Sequence, residues 1–407
     1  MRMAPSHWLV SALGALVILI GSWAGAPPTR AVSPPPAGPA PLAPLRADEV
    51  AGGAAGDVFG FLPYWCVSDW THGYLRYDLL TTIAFFGVPI GPGGHLTTSN
   101  AGYRAYVSER ATRIIRHAHA AGVRTVITFT SFGLERNDRF LSSRHARARF
   151  VREAVKLMQR RGADGANLDV ELLRASGFPA YGRLVAEFAG AAHTVNPAAQ
   201  ISVSTNAATS GARMAQIAIA NGADRVFLMG YAYRWSRSLE SGSVAPLVRS
   251  DGGLSLTKSV RIYAAAGVPA NRTILGLPYY GMTWPTVDGS MHAARQPNAQ
   301  RYGVGKVFLP SASAMLRRDG SRHDRDPVEH AKRVVWRDRH PRTWRQTYFD
   351  DGQSLRVKEQ FAIDQGLGGM GIWALGYDRG LNDYWAAIEA TFGGHPLGET
   401  GLRAAGR

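Results

Sequence analysis

The chain has 407 residues, 45% of them hydrophobic, which is enough apolar material for one large core or two ordinary ones. Its only cysteine, Cys66, excludes an intrachain disulfide, so the fold must be stabilised by its core alone. The formal net charge is +16, but the arginines are dispersed and do not form one tract with interleaved aromatics. This pattern argues against nucleic-acid binding and leaves adhesion to an anionic cell envelope open.

The first 26 residues have the pattern of an export signal. Arg2 precedes a long apolar run, and Ala24-Gly25-Ala26 resembles a small-residue cleavage site. Pro27 follows directly and disfavours cleavage, so residues 1–26 are either a signal peptide or an N-terminal membrane anchor. Residues 27–50 are rich in Pro and Ala and predict an extended linker. We therefore expect a secreted or cell-envelope-associated protein.

From residue 57 onward, short segments rich in β-branched and aromatic residues alternate with segments of helical period. This alternation predicts an α/β fold, a (β/α)₈ TIM barrel over residues 55–393. A doubly wound open sheet is the alternative, which the absence of a Gly-rich phosphate turn after the first strand weakens. The predicted strands are 58–65, 81–88, 123–130, 165–171, 200–206, 225–231, 273–280 and 369–375.

One connection is too long for this repeat. Nearly ninety residues separate Tyr280 from Gly369, and they include strand-like segments with charges at alternate positions. We interpret about 285–350 as a small α+β, mostly antiparallel insertion on the loop after strand 7, followed by a helix around 352–366. Such an insertion lies at the carboxyl end of the barrel and forms one wall of a groove there. Residues 394–407 are Gly-rich and predict a flexible tail.

The fourth predicted strand, "GANLDVE", carries polar residues at every second position. Side chains alternate along a strand, so Asn167, Asp169 and Glu171 share one face and point into the barrel. Inward positions are normally apolar, and buried carboxylates are costly unless they are paired. One interpretation is a buried hydrogen-bonded network or an ion pair with an arginine. The other, which we favour at this end of a barrel strand, is catalysis.

The spacing of the two carboxylates predicts unequal roles. Glu171 is outermost and is placed to protonate a leaving group. Asp169 lies about 6–7 Å deeper along the strand, and its charge disfavours ionisation of Glu171. This arrangement tends to keep Glu171 protonated near neutral pH, as a general acid requires.

Five segments together resemble glycoside hydrolase family 18. "DGANLDVE" resembles the fourth-strand signature D-G-x-D-x-D-x-E, and "GFLPYW", "LMGYAYRW", "GLPYYG" and "GGMGIWALGYD" resemble the first, sixth, seventh and eighth strands. The resemblance covers about 57–390 and looks nearest to the bacterial branch of spore-cortex and peptidoglycan N-acetylglucosaminidases. It implies a retaining hydrolase in which the N-acetyl oxygen of the substrate attacks the anomeric carbon.

This resemblance also implies residue roles. Glu171 would be the general acid and then base, and Asp169 would orient the acetamido group and stabilise the oxazolinium intermediate. Tyr231 would hydrogen-bond the acetamido oxygen, and Trp373 would form an apolar floor under the sugar. We also expect substrate contacts from Asn167 and from four aromatic residues near strand ends, although ordinary packing is an equal alternative for the four: Tyr64, Trp65, Tyr280 and Trp284.

Three positions depart from the family pattern. Asn167 replaces the first Asp of the signature, and it can hydrogen-bond Asp169 but cannot share a negative charge with it. Ala232 stands where many relatives have an Asp that helps to bind sugar, and "TSFGL" (130–134) lacks the usual Ser-x-Gly-Gly. These departures leave weakened turnover or a different substrate open.

The resulting hypothesis is an exported hydrolase of β-linked N-acetylglucosamine polymers, either chitin or peptidoglycan glycan. The alternative is a non-catalytic or weakly active chitinase-like carbohydrate-binding protein on the same barrel. We expect no cofactor, no metal, no nucleic-acid partner and a monomer. "HDRDPVEH" (323–330) has no metal-ligand spacing and is predicted to be a solvated loop, and Cys66 is predicted to be an inert buried thiol.

Overall fold

The computed structural model describes residues 42–50, 55–249, 251–340 and 342–393. The predicted signal or anchor at 1–26, most of the linker, and the tail at 394–407 lie outside the described residues. Within the described ranges, every helix is too short or too polar to span a bilayer.

Eight parallel strands close a barrel in the order β1-β13-β7-β6-β5-β4-β3-β2. Because β1 pairs with both β2 and β13, the sheet has no open edge, and the doubly wound alternative is wrong. The predicted (β/α)₈ barrel is confirmed. The barrel strands are β1 Asp57–Pro63, β2 Thr82–Pro89, β3 Arg124–Phe132, β4 Gly165–Glu171, β5 Gln200–Asn206, β6 Arg225–Met229, β7 Thr273–Pro278 and β13 Gly369–Trp373.

Helices connect the barrel strands and cover the outside of the barrel, except for two short helices, at 299–302 and 309–316, which belong to the long connection. In the helix at 144–161, Ser143 accepts a hydrogen bond from the Ala146 backbone N–H at the start, and Gly162 ends the helix in the left-handed conformation. The helices are α1 Asp69–His72, α2 Ala101–Tyr106, α3 Glu109–Ala120, α4 Leu134–Ser142, α5 Arg144–Arg161, α6 Phe178–Val195, α7 Thr209–Ala220, α8 Leu256–Ala265, α9 Ala299–Tyr302, α10 Leu309–Leu316, α11 Gly352–Asp364 and α12 Asn382–Phe392.

The barrel interior has an apolar part and a polar part. Phe59, Phe61 and Phe227 form a buried cluster inside the barrel, separate from the larger core between strands and helices. Within β4, Leu168 belongs to the outer core, so the alternate residues of this strand face inward. The polar positions of β4 and of the neighbouring β5 therefore form one side of the interior.

The long connection forms a second sheet with the order β10-β11-β12-β8-β9, all antiparallel. It begins at Tyr280, before the expected boundary near 285, because β7 ends at Pro278 and the aromatic run continues directly into a new strand. The strands are β8 Tyr280–Thr286, β9 Gly305–Phe308, β10 Arg322–Arg325, β11 Lys332–Asp338 and β12 Thr343–Phe349.

The described end of the predicted linker contacts the barrel. Leu45 is buried, and its backbone N–H donates to Asp164 Oδ1 at 2.6 Å. The other carboxylate oxygen of Asp164 accepts from the Thr125 backbone N–H at 2.6 Å and lies 2.8 Å from His119 Nε2. Residue 45 is thus held against the barrel by a hydrogen bond to Asp164, the residue that precedes β4.

Candidate active site

The carboxyl end of β4 opens into a cavity of about 530 Å³, which we call the central cavity. Side chains from seven barrel strands and from the second sheet surround it, so residues distant in sequence meet there. The lining residues are Phe61, Phe86, Phe132, Asp169, Glu171, Ser204, Asn206, Ala207, Ala208, Met229, Tyr231, Ala232, Tyr233, Leu254, Tyr280, Lys306 and Trp373.

Asp169 lies at the inner end of the central cavity and is only 4% exposed. In the barrel register it stands between Thr130 of β3 and Ser204 of β5. Its Oδ1 has no hydrogen-bond partner within the described part of the chain. Burial raises the pKa of Asp169 well above its usual range, and the nearby Glu171 carboxylate raises it further. A buried carboxyl oxygen without a partner is costly, so this group is available to a ligand.

Glu171 is partly exposed at the end of β4, and its backbone is held by a buried amide. Asn137 Nδ2 donates to the carbonyl oxygens of Glu171 at 2.5 Å and Leu172 at 3.2 Å, and Asn137 Oδ1 accepts from Ser131 Oγ at 2.6 Å. Leu172 then turns the chain with φ 63°. This network fixes where the Glu171 side chain leaves the strand.

The electrostatic relation within the carboxylate pair differs from the predicted one. Burial alone raises the pKa of Glu171, whereas the like-charge effect acts on the deeper Asp169. The reason is that Asp169 is far more desolvated, so ionisation is less favourable there. An ion pair of either carboxylate with an arginine, the alternative from sequence, is not present among the described residues.

Tyr231 and Trp373 form an aromatic wall of the central cavity. Their rings are near parallel, with centroids 6.3 Å apart, and the Tyr280 ring lies 6.4 Å from Tyr231. Phe61 and Phe86 contact the edge or face of Trp373 at 5.5 and 4.8 Å between centroids. Burial raises the pKa of Tyr231 well above its usual value, so its hydroxyl remains a hydrogen-bond donor.

Three of the residues predicted to act in catalysis, Glu171, Asp169 and Tyr231, therefore lie together in the central cavity, and Trp373 and Tyr280 join them. Ala232 also lines this cavity, with a left-handed backbone of φ 59°.

Two predicted substrate contacts are corrected. Asn167 is fully buried beneath the central cavity, where its Nδ2 donates to Ser202 Oγ and its Oδ1 accepts from Ser204 Oγ, each at 3.0 Å. It does not hydrogen-bond Asp169, because β5 supplies hydroxyl partners for both of its amide atoms. Trp284 is also fully buried, and its Nε1 donates to the Trp235 carbonyl at 3.1 Å. It follows the turn out of the barrel into β8 and so misses the cavity.

Tyr64 and Trp65 line a neighbouring cavity of about 600 Å³, which we call the side cavity. Their rings pack edge to face at 4.7 Å, and both are exposed. The side cavity shares Phe86 and Phe132 with the central cavity, so the two adjoin.

Sequence reasoning missed several lining residues. Lys306 comes from β9 of the second sheet, and its ammonium lies 4.7 Å from the centroid of the Tyr280 ring. Phe86 and Phe132 were contained in or next to predicted strands, and their inward alternation was the available signal. Lys306 had no such signal, because the position of β9 depends on pairing with β8.

A second cluster of ionisable groups lies outside both cavities. His292 Nε2 is 2.9 Å from Asp326 Oδ2, and Arg234 Nη1 donates to Glu329 Oε1 at 2.5 Å. His292, Asp326 and Glu329 have ligand atoms within 4.8 Å of one another, but the Arg234 guanidinium already neutralises Glu329. Asp326 and Glu329 are buried, so the prediction of a solvated loop over 323–330 is wrong for these residues.

Together, the fold and the site define the class of protein. It is a closed (β/α)₈ barrel whose central cavity, at the carboxyl ends of the strands, holds a carboxyl pair and an aromatic wall. Residues 58–378 match the model of Glycosyl hydrolases family 18, and the chain belongs to this family. The family recognised from the five sequence segments is confirmed, while the spore-cortex branch stays a prediction.

Relatives and solved structures agree with this assignment. Chitotriosidase-1 of Mus musculus is 24% identical over 277 residues, which cover 61% of this chain and 56% of that protein. A class V chitinase of Arabidopsis thaliana is 28% identical over 195 residues, 43% of this chain and 47% of that protein. The chain spans about half the length of these relatives. The GH18 chitinase from Cycas revoluta in complex with (GlcNAc)3 shares the fold, with a TM-score of 0.69, 22% identity, and coverage of 83% and 99% of the two chains.

Proposed function

We propose that the chain is an exported glycoside hydrolase that cleaves β-linked N-acetylglucosamine polymers, chitin or peptidoglycan glycan, with retention of configuration. The observation that carries this proposal is the carboxyl pair in the central cavity. Asp169 is buried with an unpartnered Oδ1, and Glu171 stands beside it at the open end. Membership of family 18 supports the choice of substrate class.

In the first step the acetamido carbonyl oxygen of the bound sugar attacks the anomeric carbon, and the bond to the leaving sugar oxygen breaks. Glu171 donates its proton to that oxygen, which its raised pKa favours. In the second step water attacks the anomeric carbon and Glu171 accepts its proton. The oxazolinium ring then opens, and configuration is retained without an enzyme nucleophile.

Asp169 and Tyr231 act on the acetamido group. The free Oδ1 of Asp169 can accept its N–H or carry negative charge beside the developing oxazolinium. Because ionising both buried carboxyls is unfavourable, the pair tends to keep one proton, and this is the proton that Glu171 donates to the leaving oxygen. Tyr231 donates its hydroxyl to the acetamido oxygen, and Trp373 packs under the sugar ring.

The relatives support this substrate class. The Cycas revoluta chitinase was solved in complex with (GlcNAc)3, and a class V chitinase variant from Nicotiana tobaccum was solved in complex with NAG4. The apolar segment at 1–26 and the Pro/Ala-rich 27–50 support export to the medium or the cell envelope. Mass measurement of the N-terminus of the exported chain would distinguish a cleaved signal from an anchor.

The experiment is an assay of the purified full chain on chitooligosaccharides and on peptidoglycan, beside the Glu171→Gln variant. We expect reducing ends from wild type on at least one polymer and their loss in the variant. Equal inactivity of both proteins on both polymers would reject hydrolysis. Saturable binding of N-acetylglucosamine oligomers without product would then favour the non-catalytic alternative.

A further inference from the structure

Two basic side chains line the cavities without an acidic partner. They are Lys306 in the central cavity and Arg136 in the side cavity. Both cavities share Phe86 and Phe132, so a ligand extending from one into the other occupies two cavities that are each lined by one of these cations. Among the described lining residues, the only acids are Asp169 and Glu171 of the central cavity.

Lys306 is exposed at the mouth of the central cavity, and the Tyr280 ring holds its ammonium at 4.7 Å from the centroid. It forms no ion pair within the described ranges. Partial desolvation lowers the pKa of Lys306, and neither Asp169 nor Glu171 offsets this effect. The lysine lines the same cavity as Asp169 and Glu171 but forms no ion pair with either of them, so its charge is available to a ligand.

Arg136 lies on α4, and its Nη1 makes only a long hydrogen bond of 3.4 Å to the Ile90 carbonyl. Of the two acids on the same helix, Asp138 pairs with Arg174, and Glu135 forms no ion pair with Arg136 among the described residues. The guanidinium thus has no carboxylate partner in the described structure, and it lines the same side cavity as the exposed rings of Tyr64 and Trp65. A cavity that combines a guanidinium with aromatic rings suits a sugar that carries an anionic group.

We propose that this groove selects a glycan whose sugars carry carboxylates, with Lys306 and Arg136 as its anion-binding residues. The proposal rests on the proposed function and deepens it, because it favours a carboxylated amino-sugar polymer of the peptidoglycan type over neutral chitin. A neutral polymer leaves both cations unpaired on binding, whereas a carboxylated one forms charge-assisted hydrogen bonds with them.

The test measures binding by calorimetry in the full-length Glu171→Gln protein, so that hydrolysis does not interfere. The ligands are an N-acetylglucosamine tetrasaccharide and a tetrasaccharide of equal length in which alternate sugars carry a 3-O-lactyl carboxylate. We expect the carboxylated ligand to bind more tightly. Adding Lys306→Gln or Arg136→Gln should lower the affinity for the carboxylated ligand about tenfold relative to the neutral one.

The matched controls are Lys156→Gln and Arg139→Gln, which remove the same charges from exposed helix positions outside both cavities. They should leave the affinity ratio unchanged, and Lys306→Arg should largely restore it. Equal losses for both ligands, no loss for either, or no binding of either ligand would overturn the proposal. Failure of the proposed function is a separate result, seen as absence of hydrolysis by wild type while the affinity ratio still depends on these cations.

Discussion

Two regions of this chain bury acidic side chains and treat them in opposite ways. In the central cavity, Asp169 and Glu171 form no ion pair among the described residues, and burial raises the pKa of both. At the contact between the loop after β6 and the second sheet, Asp326 and Glu329 face His292 and Arg234. This difference indicates that a buried acid paired with its own cation has a structural role. Two buried acids that have no ion-pair partner and face a cavity are instead available for chemistry.

The pKa values of the second region follow from these contacts. Burial by itself would raise the pKa of Asp326, but His292 and the backbone N–H groups of Glu329 and Val328 hold it below its usual range. The same contact with Asp326 raises the pKa of His292. Folding thus favours the ionised pair there, whereas in the central cavity it favours protonated carboxyls.

The largest expected effect is on catalysis. Glu171→Gln removes the proposed proton donor but keeps the shape of the side chain, so kcat/KM should fall by about 10³-fold or more. Reducing-end assays on the better substrate measure this loss. Thermal unfolding serves as the control, and a large drop in Tm would instead assign Glu171 a structural role.

The second prediction concerns the paired region. Glu329→Gln leaves the buried Arg234 guanidinium without a counter-charge, so the free energy of unfolding should fall by about 3–5 kcal/mol. Denaturant unfolding measures this change. The pair that Arg249 forms with the exposed Asp251 provides the matched control, since Asp251→Asn should cost about 1 kcal/mol or less. Equal costs for the two variants would contradict the contrast drawn between buried and exposed pairs.

Glu359 represents a third case, because it is buried, has no ion-pair partner among the described residues and lies outside both cavities. Burial raises the pKa of Glu359 on α11 to about 8. A folded-state pKa above the unfolded value means that stability is full below the unfolded pKa, near 4.5, and is lost as pH rises toward 8. Glu359→Gln should remove this loss, making the variant more stable than wild type by about 5 kcal/mol at pH 9.

Unfolding curves of wild type and Glu359→Gln between pH 5 and 9 check that prediction. The two should converge at the acid end and separate as pH rises. A constant difference across the range would show that Glu359 does not titrate with folding.

The smallest effect is expected at the aromatic wall. Tyr231→Phe removes one hydroxyl from the central cavity. In the proposed mechanism this hydroxyl donates to the substrate, so kcat/KM should fall about tenfold with Tm nearly unchanged. The hydroxyl of the buried Tyr263 makes a contrasting test. It donates to the Asn206 carbonyl at 2.6 Å, so Tyr263→Phe should lower Tm instead.

Much of the barrel was predictable because the patterns that indicate its strands and helices lie within short segments of the sequence. Each strand is a short apolar run and each helix has its own period, so strand count and order follow from the sequence. The inward orientation of the Asp169 and Glu171 side chains was likewise predictable, since side chains point alternately to the two faces of any strand. The failures were residues whose environment depends on a distant segment. Asn167 finds its partners on β5, and Trp284 is buried because the chain leaves the barrel at Tyr280.

The sequence alone is enough to predict the alternation of strands and helices, the position of the carboxyl pair on β4, and the family. These features depend on residue type and on spacing along the chain. Three other features are visible only in the tertiary structure. Lys306 enters the central cavity, and Tyr64 and Trp65 line the side cavity. Asp326 and Glu329 are neutralised by His292 and Arg234. The physical reason is that burial and charge pairing depend on which distant segments meet, and local pattern does not specify those contacts.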